Sequence, residues 1–174
     1  MKNLLRTKIY LFLAVPLLSA CALTEDPAPA SETKSSKDSR AEIMAQISQI
    51  FLIRPHGAGY VIFIPTDEAF GLAKTKLTDE TKKKVAKLAP YLVAITDLQV
   101  YGLTDNLGYK VINKRRSQQR ADAIAGQLIK AGVPEKNFVR VEGLGDAVPM
   151  ADNSTVQGRK TNRRIEIIFT AVKW

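Results

Sequence analysis

The sequence predicts an α+β domain: a mixed four-stranded sheet with helices on one face, in the order β-α-β-α-β-loop-β, preceded by a short helix and a β-hairpin. Three observations predict it. Apolar, β-branched runs ("YVIFIP", "LQVYGLT", "FVRVEG", "RRIEIIFTAV") recur with turn residues between them. Two longer segments, "TDETKKKVAKLAPYL" and "INKRRSQQRADAIAGQLIKAG", carry apolar residues at helical spacing. Strands that alternate with helices imply parallel neighbours and helices packed on a sheet face.

The domain does not start at residue 1. "MKNLLRTK" is basic with no acid, and "IYLFLAVPLL" is an apolar run of about ten residues, half the roughly 20 needed to span a bilayer. Residues 1–20 therefore read as a secretory signal peptide. Leu18, Ser19, Ala20 and Cys21 resemble a bacterial lipobox. That likeness implies cleavage before Cys21 and its acylation; Ala22 after it favours outer-membrane lipid, with the domain in the periplasm. A stable hold needs two or more acyl chains. Loss of Lys2, Arg6 and Lys8 with the signal leaves 23 basic against 17 acidic residues, a net of +6 where the whole chain has +9. Such a surface suits anionic partners, a cell-wall polymer or lipid headgroups. Cys21 is the only cysteine and His56 the only histidine, so no intramolecular disulfide forms and no metal or cofactor site is expected.

Residues 21–40 then form a tether. "ALTEDPAPASETKSSKDSR" offers almost no large apolar residue to offset its ordering entropy. Its 19 residues reach at most about 65 Å. The domain is expected over 41–174. "RAEIMAQISQI" places Ile43, Ile47 and Ile50 at helical spacing. "FLIR" and "YVIFIP" make a hairpin around the loop "PHGAG", with His56 an exposed turn residue. Pro65 ends the second strand, and Thr66 and Asp67 serve as turn and cap residues.

Thr78 caps the next helix, with Asp79 and Glu80 in the turn the dipole favours. Pro90 is expected to kink it or end it early. In "LQVYGLT", Leu98, Val100 and Gly102 alternate with Gln99, Tyr101 and Leu103. The following helix has Ala121, Ile124, Ala125, Leu128 and Ile129 as its core stripe and stops at Gly132 and Pro134. "LGDAVPMADNSTVQGRKTN" reads as a long irregular loop, and so large a loop in a small domain points to function or disorder.

That helix starts with Lys114, Arg115 and Arg116, followed by Arg120. Cations at an N-terminus are unfavourable by about 0.3–1 kcal/mol each. Arg120 differs from the others: four residues before Ile124, it borders the core stripe, so its stem is partly buried and its direction fixed. Lys110, Lys114 and Arg115 point to solvent. Asp105 follows the preceding strand, and strand ends meet helix starts on one sheet edge. Asp105 and Arg120 are therefore expected to face one pocket, one accepting from an ammonium and the other clamping a carboxylate.

The ordered motifs resemble the OmpA-like, peptidoglycan-associated domain family. Gly102, Thr104, Asp105, Asn113, Ser117, Arg120 and Ala121 fit its first signature. Gly143, Gly145, Pro149, Asn153, Thr155, Gly158, Arg159 and Asn162 to Glu166 fit the second. The likeness covers about residues 59–169. It implies non-covalent binding of the diaminopimelate-containing stem peptide of peptidoglycan. Asp105 would take the ammonium and Arg120 the carboxylate bidentately; Asn113 and Arg163 would add hydrogen bonds, and Asp67 would complete the rim. Thr104 and the backbone near Leu107 are weaker candidates. Arg116 departs from the family, which has Leu there. "IPTDEAF" resembles the subset found in secretion machines, Dot/Icm type IVB among them, and in flagellar stators, which implies secretion-system subunits as further partners.

Three other functions fit less well. An enzyme would need a nucleophile with its base, a metal set or a phosphate loop, and none is present in the sequence. A nucleic-acid binder would interleave aromatics with "NKRRSQQR", and the export signal argues against that partner. A protein-docking module that does not itself bind peptidoglycan is the remaining rival.

Overall fold

The β-branched runs pair into one sheet. The computed structural model describes residues 34–170. The signal peptide, Cys21 and the first part of the tether lie outside the described residues. Five strands stand in the order β1-β2-β5-β3-β4: β1 Leu52–His56, β2 Gly59–Pro65, β3 Leu98–Leu103, β4 Phe138–Gly145 and β5 Arg164–Thr170. The fifth strand arises because the hairpin's first strand joins the sheet at its edge. Pro55, which cannot donate to a ladder, is tolerated on that edge. The hairpin turn is tighter than the loop read from "PHGAG": β1 continues through Pro55 and His56, and only Gly57 and Ala58 connect the strands. Gly57 takes φ +55°, as two-residue hairpin turns require.

Of the two expected parallel neighbours, one forms. β3 and β4 are parallel, joined by the helix α4, Lys110–Lys130. β2 and β3 are not neighbours. The last strand, β5, slots between them antiparallel to both. This insertion brings the start of β5 beside the end of β3.

Helix α1 covers Lys34–Ser48, so it begins inside the segment expected as a tether. Its start falls after Pro27 and Pro29, the residues there most hostile to a helix. Thr78 caps α3, Asp79–Leu92, accepting from the Thr81 N–H at 3.2 Å. Pro90 does not cut this helix short at its own position. The helix runs two residues further, because an exposed proline in a last turn sacrifices only one ladder bond. Within α4 the stripe Ala121, Ile124, Ala125 and Leu128 is buried, but Ile129 is 38% exposed and leaves it. Leu103, expected on the other side of β3 from Gly102, is buried too.

The core lies between the sheet and α1, α3 and α4. Ile62, Val100 and Ile167 meet Ile47, Leu88 and Ile124, all nearly inaccessible. Burying each such side chain contributes about 1.5–3 kcal/mol relative to exposure. Two glycines bring α4 flush against the sheet: a Cβ at Gly102 or Gly143 would collide with the α4 backbone at Ser117 and Gln118. Side chains then lock the contact. Ser117 Oγ accepts from the Gly145 N–H at 2.9 Å, and Gln118 Oε1 accepts from the Gly143 N–H at 2.8 Å.

The segment read as a long loop is folded. Within it lies α5, Val156–Asn162, whose N-cap Thr155 accepts from the Gly158 N–H at 2.9 Å. Asn162 ties the rest down: its Oδ1 accepts from the Met150 and Ala151 N–H groups, and its Nδ2 donates to the Ala151 carbonyl at 2.7 Å. Asx and Ser/Thr side chains supply the bonds that a helix or ladder would otherwise make.

Candidate functional site

Three chain segments converge at one end of the sheet: the end of β3, the start of α4 and the start of β5. A fourth, the short helix α2 (Thr66–Phe70), closes the group. It stands where only a turn was expected after Pro65. The Thr66 N–H donates to the Arg163 carbonyl at 3.0 Å, which sets α2 against the entry to β5.

Arg163 joins the two acids. Its Nε and Nη2 fork onto Asp67, Nη2 at 2.6 Å from Oδ2, while Nη1 donates to Asp105 Oδ2 at 2.7 Å. Pairing with Asp67, then Asp105, raises the Arg163 pKa above its ordinary value against the opposing effect of burial. This guanidinium is permanently charged. Asp67 therefore stands behind Arg163 as its anchor and does not form the expected rim of the pocket. An ion pair between residues 96 apart in sequence holds it against Arg163, outside the lining of the pocket.

Asp105 is only 8% exposed. Its Oδ1 accepts from the Leu107 N–H at 3.2 Å and its Oδ2 from Arg163. A carboxylate has about four acceptor sites, so it retains capacity for a ligand donor. Asn113 sets the loop that carries it. Its Nδ2 donates to the Leu107 carbonyl at 2.9 Å and the Asp105 carbonyl at 3.4 Å. Its amide nitrogen is thus committed to shaping the loop.

Arg120, 2% exposed, is held by neutral groups. Nε donates to the Lys74 carbonyl at 2.9 Å and Nη1 to Thr66 Oγ1 at 3.2 Å. The guanidinium carbon lies 5.4 Å from the Phe70 ring centroid, a cation–π distance. Burial first, and the Arg116 charge second, pull its pKa down to about 10, so it remains a cation at neutral pH. With Nε taken, a ligand carboxylate would meet the end-on pair, Nη1 and Nη2, rather than the side-on fork.

Between these walls lies a cavity of about 260 Å³, lined by Thr104, Asp105, Asn113, Arg116, Arg120 and Arg163 among others. Thr104 Oγ1 is buried there without a protein partner. Orphaned buried hydroxyls are costly unless something binds them. A larger cavity of about 510 Å³ opens on the far side of Arg163, floored by Leu52, Phe63 and Met150. Its buried arginine, Arg164, is already paired with Glu166 at 2.8 Å, so the convergent unfilled polar groups belong to the smaller one.

The structure thus brings Asp105, Asn113, Arg120 and Arg163 together around the cavity and leaves Asp67 outside its lining. Sequence reasoning missed Thr66, Phe70 and the Lys74 carbonyl, which hold Arg120. It had Thr66 in view as a turn residue only. Lys114 and Arg115 are exposed, as expected, and Lys114 pairs with Glu142 at 3.2 Å.

The sequence profile of the OmpA family matches residues 69–163, more than half of the chain and every wall of this pocket except α2's first residues. The chain belongs to the OmpA family. Among its relatives, the outer-membrane lipoprotein YfiB of Pseudomonas aeruginosa is 38% identical over 104 residues, 59% of this chain and 61% of that protein. The peptidoglycan-binding protein ArfA of Mycobacterium tuberculosis is 38% identical over 102 residues, 58% of this chain and 31% of that one. The chain thus spans only part of the length of these relatives. Among solved structures, the cell wall anchor of the T6SS from Pseudomonas aeruginosa superimposes with a TM-score of 0.65 at 28% identity, covering 75% of this chain and 96% of the other.

Proposed function

We propose that this OmpA-family domain binds peptidoglycan non-covalently, gripping the free end of a diaminopimelate residue in the stem peptide. That end is an amino acid with one ammonium and one carboxylate. The convergence of Asp105 and Arg120 on one 260 Å³ cavity carries the reading. Asp105 accepts from the ammonium with its remaining lone pairs. Arg120 donates end-on to the carboxylate, and Thr104 Oγ1 gains the partner it lacks. Arg163 holds Asp105 in place, and Asn113 holds the loop beneath it. Relatives named as an outer-membrane lipoprotein and a peptidoglycan-binding protein, and a neighbour titled a cell wall anchor, support the reading.

In this reading Cys21 carries acyl chains in the outer membrane, and the domain holds that membrane, or an envelope-spanning secretion apparatus, to the wall. Sedimentation with purified sacculi tests the site. Residues 22–174 should pellet with sacculi, free diaminopimelate should release them, and Asp105→Asn should remain in the supernatant with its unfolding curve little changed. Pelleting of the Asp105→Asn protein at the parent level would sink the assignment.

A further inference from the structure

Arg116 is the pocket residue that the zwitterionic end of diaminopimelate leaves without a partner. It is half-buried and lines the cavity beside Arg120. Among the described residues it makes no ion pair: the acids nearest the site, Asp67 and Asp105, are both taken by Arg163. The group as a whole holds three guanidiniums, on Arg116, Arg120 and Arg163, against two carboxylates. A neutral zwitterion leaves that excess cation in place. The proximity is unfavourable for the protein alone, since the Arg116 charge is the second cause of the lowered Arg120 pKa. A like-charge arrangement half out of water is relieved by an anion.

We propose that Arg116 is a specificity-determining residue that selects stem peptides carrying a second free carboxylate next to the diaminopimelate. The inference rests on the diaminopimelate reading above. The chemistry of the ligand supplies the group. The residue before diaminopimelate is a γ-linked D-glutamate, and its α-carboxylate is free unless amidated. Arg116 and Arg120 are four residues apart on α4, about 6 Å along the helix axis, so one turn can present two anion donors to the two carboxylates of a flexible peptide that folds across it. A leucine at this position would leave the zwitterion site intact and remove the second donor. The domain therefore discriminates between acidic and amidated peptidoglycan, with the amidated form lacking the charge that offsets Arg116.

Calorimetry with two soluble muropeptides tests this, one with D-glutamate and one with D-isoglutamine before diaminopimelate, alongside free diaminopimelate. The parent should bind the acidic form about five- to twentyfold more tightly than the amidated form, the scale of one partly exposed charge pair. Arg116→Leu should bind both forms alike, at the affinity the parent has for the amidated one. Arg116→Lys should keep part of the preference. Equal binding of the two muropeptides by the parent, or a preference that survives in Arg116→Leu, would overturn the proposal. If free diaminopimelate and both muropeptides fail to bind the parent, the diaminopimelate reading itself falls, and this inference with it.

Discussion

The two walls of the pocket hold their arginines by opposite means. Arg163 is locked by charge: two carboxylates take its Nε, Nη1 and Nη2, with bonds as short as 2.6 Å. Arg120 is locked by neutral groups, a main-chain carbonyl, a threonine hydroxyl and an aromatic face. Those partners fix its direction and neutralise none of its charge, which Asp67 and Asp105 offset only from a distance. The first arginine serves the frame. In the proposed function the second is kept for an anion from outside. Two residues of one type, facing one cavity, thus divide structure from recognition according to whether their partners are ionised.

Replacing each arginine by methionine should separate the two roles. Arg120→Met keeps the length and the packing on Phe70 but loses the cation. Binding to sacculi should fall by roughly thirtyfold or more, as expected for removal of a desolvated charge partner. Stability should change by no more than about 1 kcal/mol, because two lost hydrogen bonds are offset by the removal of a buried charge. Urea unfolding beside the sedimentation assay would measure both.

Arg163→Met should do the reverse. It leaves Asp67 and Asp105 without the cation that bridges them. The cost should be about 2 kcal/mol of unfolding free energy once partial exposure is allowed for. Equal destabilisation at positions 120 and 163 would erase the contrast between the walls.

Thr66→Val is the finest test. It removes only the hydroxyl that accepts from Arg120 Nη1. Ligand affinity should drop about three- to tenfold and stability by about 1 kcal/mol. A variant indistinguishable from the parent in titration would mean that Phe70 and the Lys74 carbonyl alone aim the guanidinium.

What sequence reading captured follows the same division. Asp105 and Arg120 were legible because strand end, helix start and the stripe ending at Leu128 fix their positions locally. The order of strands and helices was legible for the same reason. The partner of Arg163 was not, since Asp67 reaches it across 96 residues through tertiary packing. The insertion of β5 between β2 and β3 has no local signal either. Thr66 and Phe70 were missed because five residues of α2 are too few to show a helical period. The Lys74 carbonyl belongs to the main chain, where residue identity says nothing. In α5 a signal did exist: Thr155, three residues before Gly158, has the spacing of an N-cap. A background rich in Asn, Ser and Gly obscured it.

The insertion of β5 also has a mechanical side. Under the proposed function the domain works under tension between a membrane and the wall, with the load entering at the pocket. Asp105 follows β3 and Arg163 precedes β5, which are paired with each other and flanked by β4 and β2. Ladder bonds run across the strands, so a pull along β3 and β5 stretches the bonds of several residue pairs at once in shear. A pull on edge strand β1 would open its bonds one after another. The load path thus starts in two of the three strands with a neighbour on either side, where rupture has to break more bonds together than at an edge.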